Sequence, residues 1–177
     1  MIAPDAVRRG RRAHLRHPRI DDRDAFLAAV ARSRRLHRPW VSPPADDQAF
    51  AAMVDTADRP DQQRFLVCRN ADGAIVGVTN LSQIFHGPFR NAYVGYYAFV
   101  PHEGQGLLRE GVQLTVRHAF GALKLHRVQA NVQPGNDRSI SLLRSLGFTE
   151  EGYARRYLKI NGAWRDHLMF ARLADDR

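Results

Sequence analysis

Ala92-Tyr93-Val94-Gly95-Tyr96-Tyr97-Ala98-Phe99-Val100-Pro101-His102-Glu103-Gly104-Gln105-Gly106 is the stretch that decides how this chain is read. Its first nine residues are apolar or aromatic on both alternating faces, the pattern of a strand buried between two layers. Gly104 and Gly106 follow, and then Leu108, Val112, Thr115, Val116, Ala119 and Phe120 give one apolar face to a helix running to about Leu123. Small residues between a strand and a helix let backbone N–H groups approach a phosphate, to which the helix N-terminus adds partial positive charge. A dinucleotide fingerprint needs a third glycine where Arg109 stands, and a P-loop needs a Gly-Lys-Ser or Gly-Lys-Thr ending that is absent. The spacing alone therefore leaves two readings open, a phosphate site or a structural turn.

Working outward, Ala13–Arg16 reads as a short first strand, and Asp21 as the N-cap of a helix carrying Phe26, Leu27 and Val30. That helix ends before Pro39, and a second helix spans residues 46–57. Residues 64–69 and 74–81 form a hairpin around Asn70-Ala71-Asp72-Gly73. Residues 127–132 alternate as a strand, and Pro134-Gly135 breaks it. Residues 136–146 form a helix stopped by Gly147. Strands near 148–159 and 164–173 close the chain around Asn161-Gly162. This order predicts an α/β fold with a mixed sheet.

The 177 residues suit one domain, expected over 12–177 behind a loose basic leader at 1–11. No run of 18 apolar residues exists, which excludes a membrane-spanning helix, and the basic N-terminus lacks the apolar stretch of a secretory signal. The lone Cys68 sits in an apolar run as a buried strand residue, and the expected compartment is the cytoplasm. The formal charge of +9 suits nucleic acid or a small polyanionic cofactor, and equally an arginine-rich genome. No metal is called for.

Val100-Pro101-His102-Glu103-Gly104-Gln105-Gly106-Leu107 resembles the pyrophosphate motif of the GNAT acetyltransferases. The resemblance extends to Asn136-Asp137-Arg138-Ser139 ahead of Leu146-Gly147-Phe148, which is similar to the branch that acetylates N-terminal amines of ribosomal proteins. His37-Arg38-Pro39-Trp40, Gly87-Pro88-Phe89 and Tyr157-Leu158-Lys159-Ile160-Asn161-Gly162 resemble the same branch. It implies a GNAT-like splayed, mixed sheet of about seven strands flanked by about four helices. It also implies an acetyl-CoA-dependent N-acetyltransferase whose acceptor is a protein N-terminus or a small amine. Ribosome association and a homodimer belong to the same set of expectations. A non-catalytic RNA- or ribosome-binding module on the same fold is the competing reading.

Residue by residue, the resemblance assigns the cofactor to the backbone of Phe99, Val100, Gly104, Gln105, Gly106 and Leu107 and to Asn136. The N–H groups near Phe99 and Val100 would receive the oxyanion. Leu143 occupies the position where many relatives carry a tyrosine as acid for the departing thiolate, and the resemblance to the ribosomal-protein branch makes Ser139 the candidate acid instead. Ser139 and Asn136 equally suit plain helix-capping roles. Glu103 replaces the usual Arg or Gln, and a carboxylate there repels a pyrophosphate unless it turns to solvent. Glu103, Glu150, Glu151, His86, His102, Tyr96 and Tyr97 are the candidate bases, and Trp40, Phe85 and Phe89 candidate linings of the acceptor pocket.

Overall fold

The computed structural model describes residues 5–38 and 40–176. Among them are nine strands: β1 (Arg8–Arg9), β2 (Ala13–Arg16), β3 (Asp58–Arg59), β4 (Gln62–Arg69), β5 (Ile75–Phe85), β6 (Asn91–Ala98), β7 (Arg127–Val132), β8 (Thr149–Ile160) and β9 (Ala163–Leu173). Five α-helices accompany them: α1 (Arg23–Arg32), α2 (Arg34–His37), α3 (Asp47–Asp55), α4 (Leu107–Gly121) and α5 (Asp137–Ser145). The sheet runs β1-β2-β4-β5-β6-β7-β9-β8, with β3 added beside β4. All its described pairings are antiparallel except β6 with β7. The expected mixed α/β sheet is present, with two more strands and one more helix than anticipated.

Two layers of helix cover the sheet. Val112, Val116 and Ala119 of α4 and Ile140 and Leu143 of α5 pack with Ala92, Val94, Val128 and Ala130 of the two parallel strands. On the other face, Phe26 and Val30 of α1 and Phe50 and Met53 of α3 meet Leu66, Cys68, Val78 and Phe99. Phe26 lies 4.9 Å from Phe50 with the rings tilted by 44°, and meets Phe99 edge-on at 5.6 Å, the T-shaped geometry that aromatic quadrupoles favour. Phe65 and Val67 of β4 turn instead toward Leu107 and Leu114 of α4, as the strand's period of two requires.

Some local expectations need correction. Arg8 and Arg9 pair with Leu15 and His14, so this part of the leader belongs to the sheet. Residues 1–4 lie outside the described residues, as does Pro39. Asp21 is not the cap of α1. A single 3-10 turn over Ile20–Asp22 precedes that helix, and the Asp22 carboxylate instead accepts from Arg19 N–H and the Arg16 guanidinium. Asp46 does cap α3, accepting from Ala49 N–H at 2.8 Å.

Candidate active site

The parallel pairing of β6 with β7 lasts for three residues, Asn91 to Tyr93 against Arg127 to Gln129. The antiparallel pairing of β6 with β5 continues to Ala98. Beyond Tyr93 the sheet therefore opens on one side of β6 only. Phe99 N–H bonds to Val76 carbonyl at 2.9 Å, which fixes the alternation along the strand. Phe99, Tyr97 and Gly95 direct their backbone groups at β5, and Tyr96 and Ala98 direct theirs into the gap. Asn131 is the matching residue on β7. The splay explains why the C-terminal half of β6 is only half-buried, although its sequence reads as a fully covered strand.

This alternation corrects the expected roles of Phe99 and Val100. The Phe99 N–H is taken by Val76, and the Val100 N–H donates to Ser33 Oγ at 3.0 Å. Ser33 is fully buried and its own hydroxyl donates to Ala29 carbonyl, so it terminates α1 and β6 together. The strand-end donor facing the gap is Ala98 N–H. Ala98 carbonyl is held by His37 Nε2 at 2.6 Å. Burial lowers the pKa of His37, leaving a neutral ring whose Nε2 carries the proton and donates.

Past the strand, a cis Val100–Pro101 bond opens the turn, and Gly104 (φ 74°) and Gly106 (φ 77°) adopt left-handed conformations. Side chains would be strained at both, and nothing lies within 4 Å of a Cβ built on Gly104, so the turn leaves its backbone open. Gly106 is the N-cap of α4 and supplies no side-chain acceptor, so the first N–H groups of that helix remain available to an anion. Gln105 is exposed, while Leu107 contributes its backbone only, since its side chain is core. Arg12 Nη1 donates to Gln105 carbonyl at 3.0 Å and brings a cation to this turn, a contribution that sequence spacing gave no means to see. Glu103 does not turn wholly to solvent: its Oε2 is buried and has no hydrogen-bond partner among the described residues.

On the opposite wall, Asn136 caps α5, its Oδ1 accepting Ser139 N–H at 3.3 Å. Its amide NH2 makes no hydrogen bond among the described residues. Ser139 Oγ lies 2.6 Å from the Tyr96 hydroxyl, which also donates to Ser139 carbonyl at 3.3 Å. Burial pushes the Tyr96 phenol up to about 12, against a smaller opposing effect of the Ser139 hydrogen bond, so it is protonated at neutral pH. Leu143 is fully buried in the core.

Several other candidates fall away. Glu150 pairs with Arg144 and Glu151 with Arg127, and both glutamates lie on β8, which β7 and β9 separate from β6. Phe85 ends β5 opposite Asn91, and His86 and Phe89 belong to the β5–β6 connection, so all three lie at the far end of β6, about 20 Å from Ala98. Trp40 stays: Gln133, just past β7, donates to its carbonyl, and Asn161 of the β8–β9 turn bonds to Arg38 carbonyl and Ser42 hydroxyl. These contacts draw the α2–α3 loop and the hairpin tip into an arch at the mouth of the gap.

A gap in a sheet, bounded by a two-glycine turn at a helix N-terminus and by a serine–tyrosine pair, suits an extended ligand with a phosphorylated end. The comparisons agree. The family model described as acetyltransferase (GNAT) domain matches residues 12–149. The "Probable N-acetyltransferase YjcK" of Bacillus subtilis (strain 168) is 31% identical over 95% of this chain and 97% of its own length. The "[Ribosomal protein uS5]-alanine N-acetyltransferase" of Escherichia coli (strain K12) is 34% identical over 89% and 86%. Mycobacterium smegmatis RimJ in complex with CoA-disulfide superposes with a TM-score of 0.85 at 28% identity, over 92% of this chain and 82% of that one. The chain therefore belongs to the acetyltransferase (GNAT) domain family, as an N-acetyltransferase that uses acetyl-CoA.

Proposed function

We propose that the acceptor is the N-terminal α-amine of a protein, with a ribosomal protein as the first candidate, and that Asn136 and Ser139 serve the acyl donor. The observation that carries this reading is the one-sided end of β6–β7 pairing between the two-glycine turn and the capped start of α5. The relatives that act on ribosomal protein alanine support the acceptor class.

Bound acetyl-CoA supplies a thioester carbonyl for the amine to attack. In this reading, Tyr96 pairs with its extended arm as a missing strand would, and Asn136 offers its amide NH2. The turn at Gly104, Gln105, Gly106 and Leu107 receives the pyrophosphate, with Arg12 alongside. Ala98 N–H stabilises the oxyanion. Ser139 Oγ–H protonates the sulfur as the carbon–sulfur bond breaks. A terminal α-amine titrates near 8, so an appreciable fraction is already neutral at pH 7 and water suffices to take its proton.

The test is calorimetric titration with acetyl-CoA at moderate salt, repeated with Asn136→Ala. An alanine-initiated peptide, the same peptide with a blocked N-terminus, and spermidine then serve as acceptors. One-to-one binding weakened about tenfold by the substitution, as loss of one hydrogen bond from a polar arm predicts, with turnover of the free peptide alone, supports the reading. Turnover of spermidine but not peptide replaces the acceptor. Absence of binding at millimolar acetyl-CoA removes the site.

A further inference from the structure

Tyr96 belongs to β6 and Ser139 to α5, 43 residues apart, yet their hydroxyls meet at 2.6 Å beside the sheet opening. We propose that Tyr96 is a positioning residue for the proton transfer, donating its phenol hydrogen to Ser139 Oγ so that the serine proton points at the departing sulfur. The inference rests on the reading of Ser139 as the acid and explains what would make a serine adequate to it.

Three observations carry it. The Tyr96 hydroxyl lies nearer to Ser139 Oγ, at 2.6 Å, than to the Ser139 carbonyl, at 3.3 Å; either hydroxyl can donate in the shorter contact, and with the phenol hydrogen on Oγ the serine hydrogen is left for the sulfur. Asn136 Oδ1 holds Ser139 N–H at 3.3 Å, so the serine is fixed through its backbone from one side and its hydroxyl from the other. Leu143, one helical turn further along α5, is sealed in the core and presents no alternative hydroxyl.

The chemistry requires such a partner. An aliphatic hydroxyl is a far weaker acid than a thiol, and giving up its proton leaves charge on Oγ. When the carbon–sulfur bond breaks, its electron pair stays on sulfur and the Ser139 proton moves to it. The Tyr96 hydrogen, already directed at Oγ, stabilises the charge left there, as a hydrogen bond to an ionised acceptor does. The proton lost by the attacking amine then restores Ser139 through solvent, so no proton is created or consumed beyond the acetyl transfer. The phenol stays protonated in this role because burial holds its pKa well above neutral pH.

The test uses the whole protein with CoA itself as probe, and therefore needs no acceptor. The bound thiol is titrated by the ultraviolet absorbance of its thiolate in wild type, Tyr96→Phe, Ser139→Ala and the double variant, with CoA affinity measured calorimetrically at neutral pH. In Tyr96→Phe the thiol–thiolate constant moves about tenfold toward thiol, as loss of one charge-assisted hydrogen bond predicts. Ser139→Ala moves it the same way, the double variant no further than Ser139→Ala, and neutral-pH affinity stays within about twofold. Tyr96→3-fluorotyrosine, a more acidic phenol of nearly the same shape, moves the constant toward thiolate and serves if the Phe variant does not fold. An unmoved titration in both Tyr96 variants, with Ser139→Ala still shifted, overturns the inference and leaves Ser139 as the acid. An unmoved titration in Ser139→Ala overturns the inference and the acid role together. Additive shifts in the double variant also overturn it, because they mean that each residue acts on the sulfur separately.

Discussion

Glu103 stands where the resemblance calls for Arg or Gln, and its effect is electrostatic. One carboxylate oxygen, buried and without a partner among the described residues, belongs to the turn that is proposed to hold a pyrophosphate. Two like charges about 4 Å apart repel by about 1 kcal/mol even in water. Glu103→Gln keeps the shape and removes the charge, so acetyl-CoA affinity should rise about fivefold, and the gain should shrink with added salt. Calorimetric titration at two ionic strengths checks both. The residue scale also shows how far a sequence reaches. Asn136 was legible as a cap and Gly104 and Gly106 as a turn, because each acts through its own backbone. Ser33 was not legible as the partner of Val100 N–H, nor His37 as that of Ala98 carbonyl, since neither pairing leaves any periodic trace.

Among the elements, α4 approaches the sheet closely at Gly111. A Cβ on Gly111 would lie 2.6 Å from Cγ2 and 2.8 Å from Cγ1 of Val67, a fully buried, β-branched side chain with little freedom to turn away. Gly111→Ala gains about 1 kcal/mol in helix propensity and loses about 1–3 kcal/mol to overpacking. The net expectation is destabilisation by about 1 kcal/mol, a fall of roughly 2–4 °C in Tm by calorimetry. The elements themselves were mostly legible: residues 127–132 form β7 as read, and Asn161 (φ 49°) and Gly162 (φ 81°) make the turn expected of that dipeptide. Where β6 parts from β7 was not legible. Pairing between strands separated by a whole helix depends on how that helix seats, and β6 is apolar beyond the point where its partner leaves.

For the whole molecule, acid is the expected weakness. His37 and His118 are both buried, and each has a buried Nδ1 with no partner among the described residues. Burial, aided for His118 by the cation of Arg8, lowers both pKa values from 6.5, His118 to about 4. Their unfolded forms take up protons that the folded ones refuse, so stability is complete above pH 6.5 and declines as pH falls toward 4. His118 Nε2 meets Gln63 Oε1 at 2.8 Å, and a glutamine amide can supply the same donor. His118→Gln should therefore flatten the fall of Tm between pH 6.5 and 4 relative to wild type.

Three residue pairs join β6 to β7, and all that lies beyond them along that seam is unpaired edge. An amide on such an edge exchanges its hydrogen with solvent far faster than one inside a ladder. In the free enzyme the Tyr96, Ala98 and Asn131 amides should exchange deuterium quickly, and saturating acetyl-CoA should slow these three selectively. A ligand at a hundred times its Kd also adds about 2.7 kcal/mol to the unfolding free energy. The resistance of this enzyme to heat and proteolysis should then rise and fall with the supply of acetyl-CoA, making its lifetime a record of the metabolite it consumes.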